Sequence, residues 1–371
     1  MNNYTTILYM IPIAKPVAGE EEAAAVHAVI LSGMMASGDV VHQFEHAFSG
    51  FCGAKYGVAT TNGTTALHAA LLAAGISAGD EVIVPAFTFF ASASTVSMCG
   101  ATPVFADVLP DTFNIDPQSV EQKITGKTKA VIGVHLFGQC CNASALKRIC
   151  ADHHLIFIED SAQAHAAKWN GRISGNLGDI ACFSFYPTKN MTTGEGGMIV
   201  TSDKGAADRA SVICNHGQAE KYLHSMIGYN YRMTNVHAAI GKEQLKRLPG
   251  FTALRQRNAK ILSDTITAKG ITVPYSAPEA EHVYHQYVIR VENEFPMTRD
   301  ELMTYLTGKG IGCAVHYPIP LHKQPVFADA NRDVSLPFSE DCAKHVLSLP
   351  VHPSVTEDEC RYIADVINTI S

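Results

Sequence analysis

Short apolar runs alternate with helix-like stretches along the first two-thirds of the chain. The apolar runs predict seven strands, at Gly57–Thr60, Glu81–Pro85, Thr102–Ala106, Ala130–His135, Leu155–Glu159, Ile180–Phe185 and Met198–Thr201. The stretches with helical spacing predict helices at Glu20–Ser32, Thr64–Ala74, Phe90–Met98 and Ala143–His153. Strands that are apolar on both faces and alternate with helices are typical of a parallel sheet covered on both sides.

The pattern changes near Leu248, where a Pro-Gly pair follows. Beyond it the spacing predicts helices at Phe251–Lys269, Thr298–Lys309 and Thr356–Ile370. It predicts strands at Tyr284–Val291 and Ile311–Tyr317, which lie between these helices. We therefore expect a large α/β domain over residues 1–248, beginning with an extended segment at 1–18. A small α+β domain is expected over residues 249–371.

Composition narrows the class of protein. The 371 residues are 47% hydrophobic and 17% charged, as in a soluble globular chain, and the net charge of −7 argues against general nucleic-acid binding. No run approaches the roughly 20 apolar residues of a membrane-spanning helix. The ten cysteines form no C-x-x-C pair, and no His or Cys cluster has metal-ligand spacing. These features indicate a cytoplasmic protein with reduced thiols and no metal site.

A polar, glycine-rich loop between two predicted strands carries Lys189. Most loop lysines are simply solvated. Here Phe183, Phe185 and Tyr186 surround the lysine with apolar bulk, and glycines from Gly194 onward allow close backbone approach. A poorly solvated lysine loses its proton easily and can form a Schiff base. Ser184 in the same stretch is a candidate phosphate ligand.

Asp160 ends another apolar run, at the sheet edge where open α/β sheets bind ligands. Capping of a following helix is the alternative role for such an aspartate. Pyridoxal phosphate needs a carboxylate beside its ring nitrogen, because the protonated ring is the electron sink. Asp160 and Lys189 together supply both groups that this cofactor requires.

Two weaker signals fit the same cofactor. Residues 60–68 are a turn of small residues that leads directly into a helix, where free N–H groups favour a phosphate. Phe89 follows a buried strand and is placed to stack on a flat ring, although core packing is the commoner role for a phenylalanine.

Together these motifs resemble the DegT/StrS-type sugar aminotransferases, which are pyridoxal-phosphate enzymes of fold type I. The resemblance covers nearly the whole chain. It rests on motifs at 11–22, 62–64, 85–89, 135–139, 159–165, 171–172, 178–179, 183–197, 216–218, 228–233, 316–322 and 348–353. It implies a large domain with a mainly parallel seven-stranded sheet and a small C-terminal α+β domain.

The resemblance also implies residue roles. Lys189 would bind the cofactor covalently and Asp160 would pair with its pyridine nitrogen. Around these two, the expected cofactor ligands are Gln163 at the phenolic oxygen, Phe89 on the ring, and Gly63, Thr64 and Ser184 at the phosphate. Asn230 would complete the phosphate site of the other subunit, which implies a homodimer with shared active sites. The candidate substrate residues are Arg232, His316, Tyr317 and His322, for which a place in the dimer interface or the small-domain core is the alternative.

Three features depart from the family pattern. Ala166 stands where glycine is expected, which predicts slightly less space beside the cofactor. Cys140 and Cys141 replace the usual residues after Phe-Gly-Gln. Residues 1–9 precede the usual start, so they are an extension, or Met10 is the native initiator.

The implied reaction moves an amino group from L-glutamate to a nucleotide-linked keto sugar and releases 2-oxoglutarate. The loop after Lys189 favours C4 of a 4-keto-6-deoxyhexose over C3, in the biosynthesis of a cell-surface polysaccharide or glycan. One alternative is another fold-type-I activity. A sugar 3-dehydratase would carry histidine at the position of Lys189, and a cysteine desulfurase would need a loop cysteine that cannot be placed here. An α/β binding protein without catalytic activity is the alternative of a different class.

Overall fold

The computed structural model describes residues 10–370. The expectations for residues 1–9, and so the choice between Met1 and Met10, lie outside this range. The longer strands are β1 Tyr56–Thr60, β2 Glu81–Pro85, β3 Thr102–Ala106, β4 Thr128–Val134, β5 Ile156–Asp160, β8 Ile180–Ser184, β9 Gly197–Thr201, β14 Tyr287–Val291 and β15 Val346–Leu349. The short strands are β6 Lys168–Trp169, β7 Arg172–Ile173, β10 Gln218–Glu220, β11 Leu223–His224, β12 Ile271–Thr272 and β13 Ala280–Glu281.

Helices surround these strands. They are α1 Glu20–Ser32, α2 Asp39–Cys52, α3 Gly63–Ala73, α4 Ala91–Met98, α5 Pro117–Gln122, α6 Ala143–Asp152, α7 Lys204–Cys214, α8 Asn235–Thr265, α9 Arg299–Gly308, α10 Pro325–Ala328, α11 Pro337–His345 and α12 Glu357–Asn368. Helix α2 was not among the predicted elements, although Val41, Phe44 and Phe48 give it a buried apolar face at helical spacing.

Seven strands form the central sheet, in the order β1-β9-β8-β5-β4-β2-β3. Strands β3, β2, β4, β5 and β8 pair in parallel, and β9 runs antiparallel to both of its neighbours. The inner strands are buried along almost their whole length, as their unbroken apolar runs predict. The predicted mainly parallel seven-stranded sheet is therefore confirmed.

The long helix α8 contradicts the helix predicted to begin at Phe251. It begins at Asn235 and continues through Pro249. A proline removes one helical hydrogen bond, but packing on both sides holds the two halves in place. Leu248 is buried in the core beneath the sheet, and Leu262 is buried in the core of the C-terminal part. The domain division at residues 248 and 249 stays a prediction, and this helix crosses it.

The C-terminal part contains a three-stranded antiparallel sheet in the order β12-β14-β15, packed against α9 and α12. The strand predicted at Ile311–Tyr317 is wrong. This segment makes only isolated bridges, from Ile311 to Ile11 and from Ala314 to Ser348. It runs beside β15 without forming a continuous ladder, and it carries residues 316 and 317 to the edge of the central sheet.

Within residues 10–370, no helix is long and apolar enough to cross a membrane. All ten cysteines are free, and eight of them are buried. In the same range, no three His, Cys, Asp or Glu side chains are grouped so that they could hold a metal ion.

Candidate active site

A cavity of about 750 Å³ opens at the carboxyl ends of the central strands. Val134, Asp160 and Ser184, the last residues of β4, β5 and β8, lie in its wall. The N-terminus of α3 closes one side. The C-terminal part contributes His285, Gln286, His316 and Tyr317. Open α/β sheets bind ligands at this edge, so this cavity is the candidate active site.

Lys189 lines the cavity from the loop that connects β8 and β9. The loop is held by backbone hydrogen bonds, including those from Phe185 N to Gly196 O at 2.8 Å and from Thr193 N to Phe185 O at 3.0 Å. Burial lowers the pKa of the Lys189 ammonium from 10.5 to about 8, although the charge of Asp160 raises it. An amine with a pKa near neutrality can act as a nucleophile and as a base.

Asp160 is 5% exposed at the end of β5. Ser92 Oγ donates to its Oδ2 at 2.8 Å, and the backbone N–H of Ala162 donates to Oδ1 at 3.2 Å. Burial raises the pKa of the carboxyl, while these hydrogen bonds and the charge of Lys189 oppose the rise. A cation placed beside this carboxylate would be strongly stabilised, as the protonated nitrogen of a pyridine ring requires.

The start of α3 forms a cradle for an anion. The Asn62 side chain caps the helix by accepting from Thr65 N at 2.9 Å. In the described chain, no hydrogen bond uses the N–H of Gly63 or Thr64, the first two residues of the helix. A Cβ at Gly63 would lie 2.7 Å from Ser184 Cβ, so only glycine lets the helix approach β8 this closely. The free N–H groups and the Ser184 hydroxyl suit a phosphate.

Gln163 has a fixed orientation at the cavity wall. Its Oε1 accepts from Phe137 N at 2.7 Å, so its amide nitrogen is directed toward Tyr317, where it donates to Oη at 3.0 Å. Phe89 lies beside Tyr317, with ring centroids 6.0 Å apart. The Phe89 ring is 54% exposed, and it therefore leaves a face open to the cavity.

His316 also lines the cavity, where its Nδ1 lies 2.9 Å from Ser348 Oγ. Burial lowers its pKa to about 4, and the positive charge of Lys189 adds to this effect. The ring is therefore neutral at pH 7. A neutral histidine suits hydrogen bonding to a sugar hydroxyl better than binding of a phosphate.

Glu159 and His135 lie directly behind Asp160 and are fully buried. The Glu159 carboxylate accepts from the backbone N–H of Gly175, Leu177 and Gly178 at 2.7–2.9 Å, and it lies 2.9 Å from His135 Nε2. Burial opposes its charge, but these hydrogen bonds lower its pKa overall. Glu159 therefore ties the loop before β8 to the ends of β4 and β5, the strands that position the cavity.

Three of the predicted site residues lie outside the cavity. His322 is fully buried and lies 3.1 Å from a carboxylate oxygen of Glu340, so the structure does not bring it to the site. Arg232 donates to Asn215 Oδ1 at 2.6 Å, and the exposed Asn230 forms a backbone bridge with Asn215. Neither lines the cavity of its own chain.

Sequence reasoning missed Ser92, His285 and Gln286. Ser92 holds Asp160 from α4, and no sequence signal distinguishes it from the other small residues of that helix. His285 is 5% exposed, with its Nδ1 3.2 Å from Asn190 Oδ1. His285 lies within the strand predicted at Tyr284–Val291, but β14 begins only at Tyr287, so the run of polar aromatic residues before it is the signal that marks the site.

The position of Ala166 in the structure differs from the expectation that it reduces the space beside the cofactor. It does not line the cavity, so the substitution leaves the space beside the cofactor unchanged. Its backbone instead adopts φ +70°, a left-handed conformation that favours glycine. The departure from the family pattern therefore strains the backbone without narrowing the site.

Comparisons with known proteins give the family. The DegT/DnrJ/EryC1/StrS aminotransferase family matches residues 16–368. GDP-perosamine synthase from Caulobacter vibrioides is 42% identical over 332 residues, which are 88% of this chain and 89% of that protein. UDP-2-acetamido-2-deoxy-3-oxo-D-glucuronate aminotransferase from Pseudomonas aeruginosa is 39% identical over 331 residues, covering 89% and 90%. The PLP form of the putative sugar aminotransferase Spr1654 from Streptococcus pneumoniae matches with a TM-score of 0.92 at 28% identity, covering 98% of both chains.

The chain belongs to the DegT/DnrJ/EryC1/StrS aminotransferase family. The resemblance, the fold class and the assignment as a pyridoxal-phosphate-dependent aminotransferase are thereby confirmed. The cavity fits this cofactor, because one carboxylate, one amine of lowered pKa and one anion cradle converge on it.

Proposed function

We propose that this protein transfers an amino group from L-glutamate to C4 of a nucleotide-linked 4-keto-6-deoxyhexose. The observation that carries the proposal is the convergence of Lys189, Asp160 and the start of α3 on one cavity of about 750 Å³. The volume leaves room for a sugar beside the cofactor. The similarity to the GDP-perosamine synthase supports a nucleotide-sugar substrate.

Pyridoxal 5′-phosphate, when bound, supplies the electron sink that makes a proton on the amine-bearing carbon acidic. Asp160 would hold the ring nitrogen and Gln163 the phenolic oxygen. Gly63, Thr64 and Ser184 would hold the phosphate, and Phe89 would lie against the ring. These assignments are proposals based on the placement of the residues in the cavity.

Lys189 would move the proton. It would hold the cofactor covalently at rest and, once released, carry a free amine in the same place. That amine, whose pKa burial lowers to about 8 in the cofactor-free chain, would move a proton from the donor carbon to the cofactor and, in the second half-reaction, a proton from the cofactor to the sugar carbon. His316 and Tyr317, which enter the cavity from the C-terminal part, would orient the sugar.

A homodimer would complete the site. Asn230 is exposed and does not line the catalytic cavity of its own chain, as expected of a residue that reaches the phosphate site of a partner. Arg232, two residues further on, would contact substrate or the partner from the same segment.

The proposed reaction would belong to a pathway that builds a cell-surface polysaccharide or glycan.

Amination at C3 is the second candidate. The Pseudomonas aeruginosa relative is named for a 3-oxo sugar. The loop after Lys189 resembles that of the family members that aminate C4, and it therefore favours C4.

Substrate panels test the proposal. Purified enzyme should convert L-glutamate to 2-oxoglutarate in a half-reaction without any sugar, with the absorbance change of the cofactor as the readout. The pyridoxamine form should then be consumed by 4-keto-6-deoxy sugars linked to UDP, dTDP or GDP, and NMR of the product would locate the new amine.

Each result has a defined consequence. Activity with 3-keto sugars alone would mean that the enzyme aminates C3 of the sugar and not C4. If L-glutamate does not react and another amino donor does, only the assignment of glutamate as the donor is wrong. Borohydride should fix the cofactor on the peptide containing Lys189, and Lys189→Ala should abolish both the labelling and the turnover.

A further inference from the structure

A second, much smaller cavity lies on the other side of the loop that carries Lys189. We call it the rear cavity. Its volume is about 20 Å³, enough for one water-sized species. The lining residues are Lys15, Pro16, Val17, Pro187, Thr188, Lys189, Asn190, Thr192, Gln244, Phe251, Arg255 and Pro353.

The charges around the rear cavity have one sign. Three of its twelve lining residues, Lys15, Lys189 and Arg255, are basic, and none is acidic, so Lys15 and Arg255 are the cations left when Lys189 holds the cofactor. Lys15 is exposed and Arg255 is buried, so the cations stand at different depths. Such a set of residues concentrates positive potential in the rear cavity.

Arg255 is the deepest of these cations and is only 5% exposed. Its Nη1 donates to the carbonyl oxygens of Tyr284 and His285, both at 3.2 Å. Its Nε is buried without a hydrogen-bond partner in the described chain. No carboxylate of residues 10–370 forms an ion pair with Arg255, although a buried guanidinium normally has such a partner.

The acidic group that binds Gln244, a residue lining the rear cavity, is already engaged. Glu22 reaches the region only through Gln244, whose Nε2 donates to Glu22 Oε1 at 2.7 Å. Arg247 binds both oxygens of the same carboxylate, at 2.8 and 3.0 Å. Glu22 is therefore neutralised outside the rear cavity and cannot serve as the counter-ion of Arg255.

We propose that the rear cavity binds one small monovalent anion, such as chloride, between Arg255 and Lys15. The anion accepts the unused N–H of Arg255 and compensates its buried charge. A water molecule in its place would satisfy the N–H group but leave the charge uncompensated. This site shares Thr188 and Lys189 with the wall of the catalytic cavity, but it does not depend on the proposed substrate.

The test uses the holoenzyme as purified. The melting temperature is measured in sodium bromide or chloride against sodium gluconate at constant ionic strength, because gluconate is too large for 20 Å³. A site filled tenfold above its dissociation constant should raise the melting temperature by about 2 °C, and the rise should saturate. In crystals grown with bromide, anomalous scattering should place one bromide within hydrogen-bond distance of Arg255 Nε.

Variants separate this site from general salt effects. Lys15→Gln should raise several-fold the bromide concentration that gives half of the maximal rise in melting temperature. Lys269→Gln, at an exposed lysine outside the cavity, should leave this concentration unchanged. Arg255→Gln should abolish saturation. If the Arg255→Gln variant does not fold, the Lys15→Gln titration and the bromide-containing crystal still test whether the rear cavity binds an anion.

Equal stabilisation by gluconate, a water molecule at Arg255 Nε in the bromide crystal, or a carboxylate of a partner subunit against Arg255 would each overturn the proposal.

Discussion

The Nε2 amide of Gln163 donates a hydrogen bond to Tyr317 Oη at 3.0 Å, across the boundary between the central sheet and the C-terminal part. The Gln163 carbonyl oxygen is already bound by Phe137 N, so the amide cannot turn over. Tyr317 is therefore the acceptor in this contact, and its own proton is directed elsewhere. The phenol lines the catalytic cavity, where it can donate to a ligand.

Removing this hydroxyl should weaken catalysis without unfolding the protein. We expect Tyr317→Phe to lower kcat/KM by roughly five- to tenfold, the effect of losing one hydrogen bond. Cofactor absorbance and melting temperature should stay close to wild type, because the ring remains. Tyr275→Phe is the matched control at an exposed tyrosine outside the cavity. Unchanged kcat/KM in Tyr317→Phe would show that the hydroxyl does not contact substrate or cofactor.

The pKa of Lys189 gives a second prediction, for the enzyme stripped of cofactor. Acylation of Lys189 should reach half of its maximal rate near pH 8, because burial lowers its pKa to about 8. Asp160 favours the charged ammonium and raises this pKa, so Asp160→Asn should move the midpoint to lower pH.

Peptide mass spectrometry, with the exposed Lys269 of the same digest as the internal reference, measures both midpoints. A shift to higher pH in Asp160→Asn would show that the carboxylate does not act on this amine.

Most of the catalytic cavity could be predicted from the sequence because local patterns create it. A strand that ends at Asp160 and a small-residue turn before α3 each place a group at the same sheet edge. The parallel order of the strands then brings these groups together without further information. The same logic found all seven strands of the central sheet.

The predictions that failed concern features that tertiary contacts decide, and not local sequence patterns. The helix predicted from Phe251 failed because Pro249 is a local signal, whereas tertiary packing on two cores decides where α8 runs. His322 follows a motif that resembles the family, yet its ring is directed into a pair with Glu340 that only tertiary contact reveals. A residue that acts across a subunit boundary, as proposed for Asn230, does not line the cavity of its own chain.

Ala166 provides a test of backbone strain. Its φ of +70° costs an alanine about 1 kcal/mol relative to glycine. Ala166→Gly should therefore raise the free energy of unfolding by about 0.5–1 kcal/mol, measured by denaturant titration. Ala277→Gly, at a half-buried alanine without positive φ, should instead destabilise. Loss of stability in Ala166→Gly would mean that the methyl group contributes more through packing than the strain costs.

Glu159 should be among the most sensitive positions of the fold. Glu159→Gln would turn an NH₂ group toward backbone N–H donors, so at least one buried hydrogen bond is lost and the others lose their charge. We expect a destabilisation of about 3 kcal/mol or more. Glu279→Gln, at an exposed glutamate, should change stability by less than about 0.5 kcal/mol. A small effect at Glu159 would mean that neighbouring backbone groups can find other acceptors.

Shared active sites can be tested by mixing two inactive variants. Lys189→Ala removes the amine, and Asn230→Asp places a carboxylate where the proposal has a phosphate, so the two repel and cofactor binding weakens. In a heterodimer of these chains, one site combines both defects and the other is intact. Random association should therefore restore roughly a quarter of wild-type activity. The co-expressed, affinity-separated heterodimer should itself show about half of wild-type activity, because one of its two sites is intact, and each homodimer alone is the control. If the heterodimer is as inactive as both homodimers, Asn230 acts within its own chain and the proposed exchange across the dimer is wrong.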